Sequence, residues 1–425
     1  MNLRACLLDS FQTAIGAANP AYIVPRYLPD PSHVSGRVFV VGAGKASAAM
    51  ALAVEKNWPE NKVLEGIVVT RYGYGLPMRR IRLVEAGHPV PDKNGLQAAQ
   101  IIMKQVSLLT KDDLLLCLFS GGGSSLLSLP PEDITLADLQ KLTQQLLRCG
   151  ASIQEINAVR KHLSCIQGGW LAAASRAPVH ALMISDVTGD DPTHIASGPC
   201  APDPTHFSDA LSVLEQYQLD VPPSIRNRLI AGDRLLLDET PKPGSAFFKH
   251  VENIVIASAH QSLTAAKKYL QKQYFNTLIL GDTVTGEARE VAKVYAAFIK
   301  EIRKYPDLLK PPAALLSGGE TTVTVKGSGR GGRNTEFLLS LLIELGGLDD
   351  IYALACDTDG VDGSESNAGA LITPGALTRA RNKGIQADQF LADNDSYHFF
   401  EQMGDLVITG PTYTNVNDYR VVLIV

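Results

Sequence analysis

The chain lacks any strong excess of charge: 39 basic and 44 acidic side chains leave a net charge of −5. A protein whose main partner is nucleic acid needs a broad basic surface, so this balance argues against that class, although a local basic cluster can still serve a small anion. Cysteine is scarce and unpaired in sequence. The six residues Cys6, Cys117, Cys149, Cys165, Cys200 and Cys356 form no CxxC, which argues against a disulfide frame or zinc site and for buried thiols in a reducing compartment. No apolar run approaches the ~18 residues that span a bilayer. The first residues, MNLRACLLDSFQTAIGAA, carry an early acid, Asp9, and read as an ordinary helix and not as a signal peptide. A cytoplasmic protein without a membrane partner is expected. HExxH and GxSxG are missing too, which speaks against a zinc enzyme or a serine hydrolase.

What is present is an alternation of strand and helix. Short apolar runs at 37–41, 66–70, 81–85, 114–119 and 179–185 are separated by helical stretches, and the pattern restarts at 253–257, 276–280, 313–316 and 351–356. This predicts an α/β fold of two Rossmann-like domains with mostly parallel sheets and a cleft between them. At 425 residues more than one core is needed. The polar segment Asp238–Ser245, DETPKPGS, marks the expected boundary, giving domains 1–240 and 248–425. Thr321–Val325 alternates and is expected as an edge or antiparallel strand, and Arg420–Val425 as a buried closing strand.

Leu114–Leu127, LLLCLFSGGGSSLL, is the most informative stretch. A strand buried on both faces breaks into Ser120, Gly121, Gly122, Gly123 and Ser124, whose backbone can turn with positive φ and present amides to an anion. The device recurs at Ser317-Gly318-Gly319-Glu320. Packing alone can also demand such glycines, and the residues leave both readings open. Gly42-Ala43-Gly44-Lys45 follows the first strand. It is no Walker loop, since Ala46 stands where Ser or Thr is required, and it is half a dinucleotide fingerprint with Ser47 at the third glycine. A lysine at the start of a helix opposes the dipole, which an anionic ligand would explain and solvation would tolerate.

Lys326-Gly-Ser-Gly-Arg330-Gly-Gly-Arg333-Asn334 reads as a flexible, strongly positive loop suited to carboxylate or phosphoryl oxygens, or else as an exposed hairpin tip. Acids gather at strand ends: Asp186, Asp190 and Asp191 in SDVTGDD, and Asp357, Asp359 and Asp362 in DTDGVDG. They suit Mg²⁺ or a general base, or simply turns and caps. Of these, Asp186 is the expected catalytic carboxylate, and Asp190 and Asp359 are the expected metal ligands. Cradles, lysine, arginines and acids together suggest phosphoryl transfer, which is chiefly positioning and charge stabilisation.

These motifs resemble those of the MOFRL-type glycerate 2-kinases, some of which have been called hydroxypyruvate reductases. The match includes VVGAGKASAAMA (40–51), EAGHPVPD (85–92), FSGGGSSLL (119–127), INAVRKHLSCIQGG (156–169), ISDVTGDDPTHIASGP (184–199), LSGGETTVTVKGSGRGGRNTEF (316–337), DTDGVDG (357–363) and GPTYTNVNDYRV (410–421). The resemblance implies transfer of the γ-phosphoryl of ATP to the 2-hydroxyl of D-glycerate with Mg²⁺, in a cleft between two α/β domains. It implies that Lys45 neutralises the transferring group, with Arg330 and Arg333 opposite it. Family members more often have His at Tyr74, Lys and Arg at Gln167 and Trp170, Gln at Thr335, Ala at Asn367 and Gly at Tyr413. The alternative is an NAD(P)H-dependent hydroxypyruvate reductase, supported by GxGxxS and by Arg71 after the second strand. The sequence leaves open a homo-oligomer, the base, and which loop holds nucleotide or acid.

Overall fold

Six apolar segments become the strands of the first sheet: Val38–Ala43 (β1), Leu64–Arg71 (β2), Ile81–Ala86 (β3), Leu114–Phe119 (β4), Val179–Ile184 (β5) and Val251–Ala257 (β6). The computed structural model describes residues 2–425. β1 and β4 are buried at every position, as expected of strands covered on both faces. The order is β3-β2-β1-β4-β5-β6, and the β1/β2, β2/β3, β1/β4 and β4/β5 pairs are all parallel. The chain winds outward one way through β2 and β3, then returns to β4 and winds the other way. β1 and β4 therefore flank the topological switch point, where the loops leaving their carboxyl ends diverge and open a crevice.

The second sheet contains Asn276–Glu287 (β7), Ala313–Thr322 (β8), Ile351–Asp357 (β9), Gly369–Ile372 (β10), Leu406–Val407 (β11) and Asp418–Ile424 (β12), ordered β11-β10-β9-β12-β8-β7. It departs from the mostly parallel arrangement expected for both domains: only β7/β8 is parallel, while β8/β12, β12/β9, β9/β10 and β10/β11 are antiparallel. The closing strand causes this, because β12 inserts between β8 and β9 and runs against both. Periodicity shows that such a strand is buried but not which way it runs.

The chain forms two compact units, Pro20–Ile256 and Ala257–Val425 together with residues 1–19. This division differs from the expected 1–240 and 248–425. The polar segment at 238–245 is not a loose linker, because Thr240 Oγ1 donates to Asp203 at 2.9 Å and the Glu239 carboxylate accepts the Phe207 amide at 3.0 Å. Phe248 packs on the first core and β6 adds to the first sheet. The first helix, Leu3–Ala17, buries Leu7, Phe11 and Ala14 against Leu263, Ala266, Leu270 and Tyr419 of the second unit. Phe11 stacks on Tyr419 with ring centroids 5.7 Å apart. Phe11→Ala should therefore destabilise that unit by about 3–5 kcal/mol in urea unfolding. A loss within the roughly 0.5 kcal/mol typical of surface changes would show that the helix is not part of its core.

Candidate active site

At the switch point the loops after β1 and β4 are locked together by backbone. The Ser120 amide donates to Ala43 O at 3.1 Å, and the Lys45 amide donates to Gly121 O at 2.9 Å. Ser120 Oγ accepts the Ala46 amide at 3.0 Å. Gly44 has φ +134°, and a Cβ on it would fall 2.2 Å from Ser120 Oγ. A Cβ on Gly42 would meet Val68 Cγ1 at 2.7 Å. The two glycines of GxG thus make room for neighbouring protein, which is the packing reading of that motif. Ser47, standing at the third glycine, places its Oγ 2.8 Å from both Gly44 O and Val69 O.

The next turn reaches the surface only at Gly122, which is half-buried. Gly122 adopts φ +80°, and a Cβ there would lie 2.9 Å from the His88 ring and 3.6 Å from Lys45 Cγ. Lys45, His88 and the glycine turn thus share one spot. Among the described residues neither the Gly121 nor the Gly122 amide donates to a protein acceptor. Gly123 is held closely, since its Cβ would reach Ala196 Cβ at 2.6 Å. Two amides, a lysine and an imidazole around a glycine backbone form a place where an anion can sit with little steric resistance.

A third loop closes on this one. Ala196, Ser197 and Gly198 have φ of 51°, 59° and 61°, and left-handed backbone at two non-glycine residues stores strain of the sort found at ligand sites. Ser197 Oγ lies 2.9 Å from Asn157 Oδ1 and 2.8 Å from Ser124 Oγ. Its single proton goes to Asn157, so Ser124 donates to Ser197. Asn157 and Ser197 were not singled out as site residues by sequence reasoning, whereas His88 and His194 were read as lying in loops near the cleft. An asparagine within a helical stretch, where it is a poor helix former, was the available signal for Asn157. His194 Nδ1 is buried without a hydrogen-bond partner, and burial, then the Lys161 charge, pulls its pKa down.

Three consecutive bases end the helix Ile153–His162. Lys161 is fully buried, with Nζ 2.7 Å from Thr193 Oγ1 and 3.2 Å from Asp203 Oδ1. His162 lies 3.1 Å from Glu239 and edge-on to Phe207. Arg160 makes no ion pair or side-chain hydrogen bond among the described residues, and burial alone pushes its pKa down to about 10. Asp186 follows β5, half-buried, and Asp190 is held at φ 54° in the same loop.

The second-unit candidates are engaged differently. The expected second cradle does not form, because Ser317, Gly318, Gly319 and Glu320 continue β8 beside β7. Gly319 is required there because a Cβ would strike Val284 O at 2.2 Å. Thr321 and Thr322 end that strand, so the separate strand expected at 321–325 is absent. Nor is the arginine loop flexible or bare. Asn394 Oδ1 accepts the Lys326 and Gly327 amides at 2.8 and 3.0 Å, and Asp395 Oδ1 accepts the Arg330 amide at 2.9 Å. Arg330 forks onto Glu365. Arg333 meets Asp418, Glu320 and Asp357 at 2.8, 2.8 and 2.9 Å. Asn334 donates from Nδ2 to Asp418 at 2.8 Å, and Asp362 accepts the Asn334 and Thr335 amides, capping their helix. Asp359 is buried, with Oδ1 accepting the Val361 amide at 2.9 Å. Tyr413, where relatives were expected to carry glycine, has φ 59°.

No cluster of three His, Cys, Asp or Glu among the described residues is arranged to hold a metal by itself. Magnesium in kinases leans on substrate phosphates plus one or two carboxylates, so such a cluster is not required. No helix among the described residues is long and apolar enough to cross a membrane.

Comparison with known proteins bears on the same elements. A domain of unknown function, DUF4147, matches residues 6–230, and the MOFRL family matches 313–418. The D-glycerate 2-kinase of Thermotoga maritima is 40% identical over all of this chain and 99% of its own length. The chain belongs to the MOFRL-type glycerate 2-kinase family. A glycerate kinase crystal structure from Thermotoga maritima superposes with a TM-score of 0.87, covering 100% of this chain and 99% of that one. A protein of Agrobacterium vitis, provisionally named hydroxypyruvate reductase, is 48% identical over 100% of this chain and 95% of its own.

The buried pair beside the site carries a stability prediction. Burial raises the Asp203 carboxyl, but the Lys161 charge and the Thr205 hydroxyl and amide outweigh it and hold the pKa below the ordinary value. At Lys161 burial pulls the ammonium down, with Asp203 offsetting part of the shift. The Asp203 contribution is present above its unfolded pKa of about 3.9 and is lost as pH falls through the lower folded value. Asp203→Asn should cost about 3–5 kcal/mol at neutral pH by leaving Lys161 unpaired. The acid limb of stability against pH should flatten in step, and unchanged urea midpoints would refute the pairing.

Proposed function

We propose that the chain transfers the γ-phosphoryl group of ATP to the 2-hydroxyl of D-glycerate, giving 2-phosphoglycerate. The observation that carries this reading is the meeting of Lys45, His88 and the Gly121–Gly122 amides at the switch point of a doubly wound sheet. Phosphoryl transfer asks for this arrangement, since charge builds on the equatorial oxygens and fixed donors stabilise it without reorganising. Lys45 supplies the cation and the two amides supply neutral donors. Asp186, at the end of β5, takes the hydroxyl proton.

Mg²⁺, when bound with ATP, would neutralise phosphate charge, and the half-buried Asp190 of the same loop as Asp186 fits a hard ion that keeps several waters. We assign no metal role to Asp359, whose carboxylate is buried in a turn. Arg333 has its three guanidinium nitrogens on carboxylates and Arg330 has two of its three on Glu365, so they rank after Lys45 in the proposal. Gly318, Gly319 and Glu320 enter it only as strand residues, and Asn334 only as a partner of Asp418 and Asp362.

The reductase reading has less support. Dinucleotide-binding glycines let a pyrophosphate approach the backbone, whereas here the space beside Gly44 is filled by Ser120. No acid follows β2 to hold a ribose; Arg71 stands there, its guanidinium 5.7 Å from the Tyr74 ring centroid. Lys45→Ala should lower kcat by about 10²–10³-fold, the loss typical of one transition-state donor, while the melting temperature stays put. ADP release and phosphorylated acid are the readouts. Turnover near wild type would remove Lys45 from the chemistry, and NADPH oxidation by hydroxypyruvate would reinstate the reductase.

A further inference from the structure

Arg160 has no described role in holding the fold. Its neighbours Lys161 and His162 each have a carboxylate, whereas Arg160 has none and its charge is only partly reached by water. The C-terminal end of its helix favours a cation, but a position in the last turn is worth at most about 2 kcal/mol and does not call for a desolvated one. The side chain lines a narrow pocket with Ser124, Ser125, Ser128 and Gln167. Gln167 fixes that wall, donating from Nε2 to Ser124 O at 2.7 Å and Leu127 O at 2.9 Å. The pocket has room for about one water-sized group, which admits the oxygen end of a small acid and excludes a nucleoside.

We propose that Arg160 is the residue that binds the carboxylate of the acceptor acid, in the pocket it shares with Ser124, Ser125 and Ser128. This deepens the kinase reading and rests on it. A guanidinium fork matches a carboxylate oxygen for oxygen, and the serines give the pocket a polar wall with no acid in it. In a 2-hydroxy acid the reacting hydroxyl is one carbon from the carboxylate, so the carboxylate site must adjoin the phosphoryl site. Ser124 stands two residues beyond Gly122, the turn that faces Lys45 and His88. Arg160 thus selects acids over neutral polyols.

The test compares wild type, Arg160→Gln and Arg160→Lys on D-glycerate and its methyl ester at saturating MgATP, with D-glycerate binding measured separately by calorimetry. Wild type should prefer the acid to the ester by about 10–100-fold in kcat/KM, the worth of one charged hydrogen-bonded pair. In Arg160→Gln that ratio should collapse towards one through the KM for glycerate, with the KM for ATP held, and Arg160→Lys should restore part of it. Binding of D-glycerate should weaken by the same factor. Melting of Arg160→Gln should be unchanged or raised, since no ion pair is lost. A preserved acid-to-ester ratio, an effect confined to the KM for ATP, or a lowered melting point with unaltered glycerate binding would each overturn the assignment. Wild type that binds glycerate but phosphorylates neither acceptor would defeat the kinase reading alone, and the calorimetric comparison would still decide Arg160.

Discussion

The site depends on a backbone lock between two neighbouring strands of one sheet. β1 and β4 leave the sheet side by side, and the Ser120 amide on Ala43 O and the Lys45 amide on Gly121 O hold their loops in register. Because Ser120 occupies the volume that any side chain on Gly44 would need, neither loop can shift without the other. The lock uses up the inner glycines and serine, leaving the next two amides, of Gly121 and Gly122, without a protein acceptor among the described residues. A rigid scaffold with donors already oriented is what charge stabilisation needs, since donors that must reorganise lose much of their effect.

In the second unit glycine and charge do a different job. The four glycines of 327–332 each allow backbone to come close to Asp393, Asp395, Ser396 or Asp362, where a Cβ would lie 2.2–2.4 Å from a neighbour. The arginines between them are answered by acids already in place. Arg333 with three carboxylates is a hub tying β8, β9 and β12 to the start of the helix Arg333–Leu345. Removing it would strand three carboxylates, so loss of activity in Arg333→Ala would not by itself speak to catalysis.

How much of this was legible in the sequence follows from the range of each signal. The apolar runs that became β1, β4, β5 and β9 are local facts, and so was the turn at Ser120–Ser124. Strand direction in the second sheet was not local, since it depends on where β12 inserts, some sixty residues after β9. The Ser-Gly-Gly at 317–319 looks like the one at 120–122 because both follow apolar strands. Only the neighbour differs: β7 runs on past it and pairs, so a turn becomes a strand. Residues 1–19 joined the far unit through Phe11 and Tyr419, a contact spanning almost the whole chain. Asn157, Arg160 and Ser197 lay within quoted motifs but carried no turn or spacing signal, being helix or strained-loop positions whose meaning lies in what they face.

That contrast supplies a criterion for choosing among the chain's cations. Concentration of charge along the sequence pointed to Arg330 and Arg333, yet a folded protein seldom leaves a crowded cation unanswered, and here Glu365, Glu320, Asp357 and Asp418 answer them. Partial burial without an answering acid is the more telling property, because desolvation makes the charged form costly unless something else supplies the counter-charge. Among the three bases ending the helix Ile153–His162, only Arg160 has that property, and it faces serines instead of acids. A ligand bearing the missing negative charge resolves the imbalance when it binds. A free-enzyme cost of this kind turns directly into selectivity for acids, because a neutral acceptor would leave the guanidinium as poorly compensated as before.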